Sequence, residues 1–91
     1  MWQVHEDVWE LDHPGIHLYK SYLNAKKKLR KLVEEYMVLD RTGYNYKEYI
    51  KFKNNRITIL TDIDNLKEGE FMYIEVNEEI HLSLTLVEVS E

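Results

Sequence analysis

Histidine is the one side chain whose ordinary charge change falls near neutral pH, and its neutral ring is the commonest metal ligand. His5, His13 and His17 lie early in the chain beside Asp12 and other acids, so a zinc site or a metal-assisted hydrolase would be built there if three ligands converged. The spacing works against this. Two histidines four apart share a face only on a helix, whereas Pro14 and Gly15 separate His13 from His17, and no Glu stands in the metalloprotease arrangement. Structural or surface histidines are expected, and no metal ligand is assigned.

Other chemistries fare no better. Zero cysteines remove thiol nucleophiles, disulfides, iron–sulfur ligation and cysteine-bound zinc together. Ser21, Ser83 and Ser90 fall at an expected helix cap, in an expected strand and near the last residue, none of them in a nucleophile elbow. Three glycines cannot supply a phosphate-cradling loop. Asp62, Asp64 and Asn65 begin like a calcium loop, but that order needs a ligand at Leu66 followed by Gly, and neither is present. Seventeen carboxylates nominate no particular acid–base pair. The expectation is a protein with no catalytic residues and no cofactor, and therefore not an enzyme. A small metal-dependent hydrolase using His5, His13 and His17 ranks third among the readings.

The cations are more informative. Lys20, Lys26, Lys27, Lys28, Arg30 and Lys31 crowd twelve positions with no acid among them, half of all the basic residues in the chain. On a helix starting at Ser21 they would sit toward its N-terminus, where the macrodipole is already positive. Arg30 with Glu34 and Lys31 with Glu35 also run in the less favourable order for i,i+4 pairs. Compensation from elsewhere is expected: either a docking face for phosphate or an acidic surface, or a solvated face partly neutralised by acids of the sheet. Trp2, Trp9, Tyr44, Tyr46, Tyr49 and Tyr73 exceed what one small core can hold beside a helix stripe, so some should be exposed and suited to an interface. The expected partner-binding set is Lys26, Lys27, Lys28, Arg30 and Lys31 with Tyr44, Tyr46 and Tyr49.

The elements that would position these groups follow from periodicity. Residues 2–9 have strand content, Asp12 to Gly15 a turn signal, and Ile16 to Lys20 would return as a second strand, unless a helix starts as early as His17. From Tyr22 the residues Ala25, Leu29, Leu32, Val33, Tyr36 and Met37 form one stripe, predicting a helix over about 21–40 capped by Ser21 and ended by Asp40 to Gly43. The segment 48–61 reads as a hairpin turning at Asn54 and Asn55, with Phe52 opposite Ile57 and Ile50 opposite Ile59. After a linker over 62–70, strands 71–76 and 80–89 share apolar parity only across an odd-numbered loop. Three residues then pair Val76 with Ile80, Ile74 with Leu82 and Met72 with Leu84, leaving Phe71, Tyr73, His81 and Thr85 on the opposite face. The predicted fold is α+β. It is a single two-layer domain over residues 1–91, a mainly antiparallel sheet of four to six strands packed by one amphipathic helix, in the order β-β-α-β-β-β-β.

Composition sets the remaining bounds. Ninety-one residues suit one domain, and 44% hydrophobic with 32% charged content fits a globular chain rather than a disordered one. No apolar run approaches the roughly 18 residues that span a bilayer, and no signal-peptide pattern opens the chain, so a cytoplasmic location without membrane contact is expected. The net charge of −5 is segregated, since residues 62–91 carry nine acids against Lys67 alone. Lys, Ile, Asn and Tyr number 29 against 8 for Ala, Gly, Pro and Arg, the mark of an AT-rich genome. The leading expectation is a non-enzymatic binding protein, an inhibitor or immunity-like factor, with a phage or plasmid counter-defence protein as one version. Its partner would be another protein, with a homodimer as the preferred assembly. A nucleic-acid accessory role for the basic helix is the second reading.

Overall fold

The structure is a computed structural model that describes residues 1–9, 15–38 and 45–87. Within them the chain forms β1 (Trp2–Val8), β2 (Gly15–Tyr19), α1 (Tyr22–Tyr36), α2 (Tyr46–Asp64), β3 (Met72–Asn77) and β4 (Ile80–Leu86). The four strands make one antiparallel sheet in the order β2-β1-β4-β3. Alternation along each strand sends Val4, Ile74, Leu82 and Leu84 to one face, where they are buried under α1.

α1 begins as its sequence dictates: the Ser21 hydroxyl accepts from the Asn24 N–H, and Tyr22, Ala25, Leu29, Leu32 and Val33 line its buried side. The alternative start at His17 does not occur, because His17 pairs with Val4 inside β2. α1 ends at Tyr36 rather than at 40, with Met37 buried at its C-cap. The stop signal from Asp40 to Gly43, the turn from Asp12 to Pro14, Tyr44 and residues 88–91 lie outside the described residues.

The segment 48–61 is a helix and not a hairpin, so the sheet has four strands, two helices cover it, and the order is β-β-α-α-β-β. The segment carries both periods on overlapping sets of residues. Phe52, Ile59, Leu60 and Ile63 also recur at helical steps, and burying that stripe beside α1 decides the contest. Asn45 caps the helix by accepting from the Glu48 N–H, while Asn54 and Asn55 face solvent, where each costs a helix only about 0.7 kcal/mol or less. α2 rests chiefly on α1 and runs antiparallel to it. Gly69, with φ of 96°, turns the chain back toward β3 in a conformation that a side chain would oppose.

The β3–β4 hairpin keeps the expected partners Met72 with Leu84 and Ile74 with Leu82, but Ile80 pairs with Asn77 instead of Val76. The cause is local: the Asn77 side-chain carbonyl accepts from the N–H groups of Glu79 and Ile80, tightening the turn and leaving an irregularity between Glu75 and Asn77.

Candidate interaction surfaces

Two of the five cations on α1 reach across to the C-terminal end of α2. Lys26 Nζ donates to the carbonyls of Asp64 and Leu66, both at 3.0 Å. Arg30 Nη1 donates to the Leu60 carbonyl at 3.3 Å and to the Asp64 carboxylate at 2.9 Å, and its Nε lies 3.2 Å from Glu34. In return, Arg56 Nε of α2 donates to the Met37 carbonyl at 2.8 Å. Each helix thus has orphan carbonyls at its C-terminal end satisfied by a cation from the other. The antiparallel neighbour explains the unusual placement of positive charge on α1, because the negative end of the α2 dipole lies beside it.

The remaining cations are less committed. Lys27 and Lys31 are exposed, the latter 4.0 Å from Glu35, and Lys28 is half-buried near Glu6. Tyr46 is exposed at the first position of α2 and Tyr49 half-buried one turn on, at the opposite end of the helix pair from Lys26. The structure therefore does not bring the basic run and the described tyrosines onto one patch.

The sheet separates the histidines. His17 lies on the helix side with Glu6, whereas His5 pairs with Ile16 and points to the other side, so these two cannot share a metal. His13 lies outside the described residues, and among those described no group of three His, Asp or Glu is placed to hold a metal ion. Asp62 and Asp64 belong to the last turn of α2 and Asn65 is its C-cap, a helix end in place of a calcium loop.

On the helix side a polar cluster closes one end of the core. The Tyr36 hydroxyl donates to Glu6 Oε1, and His17 Nε2 lies 3.2 Å from Glu6 Oε2. Burial pushes the Glu6 carboxyl upward, but the hydrogen bonds with Tyr36 and His17 and the positive charges of His17 and Lys28 outweigh it and hold the group below its ordinary value. Burial and the adjacent Glu6 carboxylate push the Tyr36 hydroxyl up to about 12. Gly15 gives Glu6 its room, since a Cβ there would stand 2.8 Å from Glu6 Oε2. A Glu–His pair is a familiar acid–base unit, yet here both carboxylate oxygens are already occupied, and the cluster ties β1 and β2 to α1. Its sequence signal is slight: Glu6 has the same strand parity as Trp2 and Val4.

The other side of the sheet presents three rows set by the register. Asp7, His81 and Glu75 stand side by side; next come Ile16, His5, Ser83 and Tyr73; then Leu18, Gln3 and Thr85. Neither helix covers these rows. Tyr73 is 76% exposed, Ile16 56% and Leu18 51%, and Trp9, whose backbone N–H donates to the Glu79 carbonyl at the acidic end, is 80% exposed. All four strands together contain Glu6, Asp7 and Glu75 but no Lys or Arg. The part of this face read from sequence was the opposite-facing Tyr73, His81 and Thr85; Phe71, expected with them, precedes β3 and stacks edge-on with Trp2 beside the core instead. His5 and Asp7 join them only through the β1–β4 pairing, which no local pattern encodes.

Comparison of the chain with protein-family models, with curated proteins and with solved structures gave no match. No helix among the described residues is long and apolar enough to cross a membrane.

Proposed function

We propose that this chain is a non-enzymatic binding protein that docks a protein partner on the outer face of its sheet. The observation that carries the reading is a four-stranded surface with exposed Ile16, Leu18 and Tyr73 interleaved with polar groups, which neither described helix covers. Aromatic anchors among polar neighbours are what protein interfaces favour. An inhibitor or immunity-like role, including a phage or plasmid counter-defence protein, is the version that small size and a composition rich in Lys, Ile, Asn and Tyr favour. The nucleic-acid reading loses ground because Lys26 and Arg30 already serve α2.

Site-specific photo-crosslinking in cells that carry the gene tests this. A photoreactive side chain at Tyr73 is expected to give a discrete protein adduct, while one at Thr58 on the exposed side of α2 gives none. Equal labelling at both sites, or no adduct at Tyr73, would overturn the assignment of this face.

A further inference from the structure

We infer that the partner seated on the outer sheet face presents lysine or arginine side chains interspersed with apolar ones; this deepens the docking reading and rests on it. Among the described elements the cations are confined to the helices, whereas acids occur in both layers. The helices carry Lys26, Lys27, Lys28, Arg30, Lys31, Lys47, Lys51, Lys53 and Arg56, whereas the strands hold acids and no fixed cation. On the outer face Asp7 and Glu75 flank His81, and the adjoining turn adds Glu78 and Glu79, all exposed. The strands supply no Lys or Arg to these carboxylates, so the face has a negative bias that a cationic partner surface complements.

The aromatic groups point the same way. Trp9 and Tyr73 are the most exposed aromatic side chains among those described, and both belong to the acidic region of the sheet. Exposed aromatic rings beside carboxylates suit ammonium or guanidinium groups, which gain from the ring quadrupole and from the acid together. Ile16 and Leu18, at the β2 edge of the same face, receive the apolar residues of the partner. The acids stand in one row with the adjoining turn and the exposed aliphatic side chains at the β2 edge of the next two rows, so a partner carrying both cationic and apolar residues finds a place for each.

The test uses the whole chain and two synthetic twelve-residue peptides, one alternating Lys with Leu and one alternating Glu with Leu. Amide chemical-shift mapping with the Lys peptide is expected to move Asp7, His81, Glu75 and Tyr73 and to leave α2 unmoved, and the Glu peptide is expected to leave the face unchanged. The double variant Asp7→Asn with Glu75→Gln should bind the Lys peptide about three- to tenfold more weakly, with the difference shrinking at high salt. Both positions are exposed, and an unchanged amide spectrum outside the face shows that the variant folds. Equal binding of the two peptides, no binding of either, or shifts confined to the helices would overturn the inference. A dimer that sediments as such and dissociates on Tyr73→Ala would replace the cationic partner with a second copy. A Tyr73 adduct whose contacting segment is acidic would sink the inference while leaving the docking face intact; absence of any adduct removes the docking face itself.

Discussion

α1 and α2 lie side by side yet are secured differently. α1 buries Tyr22, Ala25, Leu29, Leu32 and Val33 against β1, β2 and β4, so its position follows from its own apolar stripe. α2 buries only Leu60 and Ile63 and is fastened at its C-terminal end by Lys26 and Arg30, with Arg56 reaching back to Met37. A helix that carries a full stripe is specified by its sequence, whereas one with a thin stripe is specified by where it must lie. Its hydrogen bonds to a neighbour's cations then do part of the work that burial does elsewhere.

Substitutions can break or sharpen that contrast. Leu29→Ala should have the largest effect, about 3–4 kcal/mol in urea unfolding, because Leu29 is fully buried beneath the whole assembly. Ile63→Ala should cost about 2–3 kcal/mol, and native-state hydrogen exchange should speed up more in α2 than in α1. If exchange rises equally in both helices, the two form one unit and the contrast fails.

Arg30→Leu is expected to cost about 1 kcal/mol, since its pairs are part-exposed, and to lose more than half of that effect in concentrated salt. A pH series reports the other side of α1. The Tyr36 hydroxyl titrates at about 12 in the folded protein against an ordinary 10.0, so its contribution is complete below 10 and is lost as pH rises toward 12. Glu6, held below its ordinary value, contributes above that value and loses the contribution as pH falls through the lowered one. Tyr36→Phe should reduce the alkaline loss, which a plot of unfolding free energy against pH would display, leaving the part due to Tyr22, whose hydroxyl is also pushed up by burial and by Glu70. The smallest effect has the most informative sign: Asn54→Ala and Asn55→Ala should each stabilise by about 0.5 kcal/mol, as exposed helix positions do, where a hairpin turn would instead be weakened.

Much of the architecture was legible in the residues. Parity fixed the partners of Ile74 and Met72, and Ser21 with the stripe from Tyr22 placed α1. The segment 48–61 was not legible, because Ile50, Phe52, Ile57 and Ile59 satisfy alternate pairing across Asn54–Asn55, whereas the helical stripe of Phe52, Ile59, Leu60 and Ile63 is thin and leaves Ile57 half exposed. Only the surface offered by α1 separates the two. The same holds for the candidate surfaces. The density of cations near Lys26 was plain, but that an antiparallel helix end would take up Lys26 and Arg30 was not. The polar partners Glu6 and Tyr36 stand thirty residues apart and meet only once the sheet has formed.

The strand order also has a kinetic consequence. The two central strands, β1 and β4, match from Trp2 with Leu86 to Val8 with Ile80, the most sequence-distant pairing in the sheet. Each local hairpin is only marginally stable alone, so the nucleus must close a loop of some seventy residues or more before contacts repay its entropy. During synthesis β1 therefore waits without its central neighbour until β4 has been made. Over that interval one edge of β1 has its backbone groups unpaired, and folding should show one dominant slow step set by that closure.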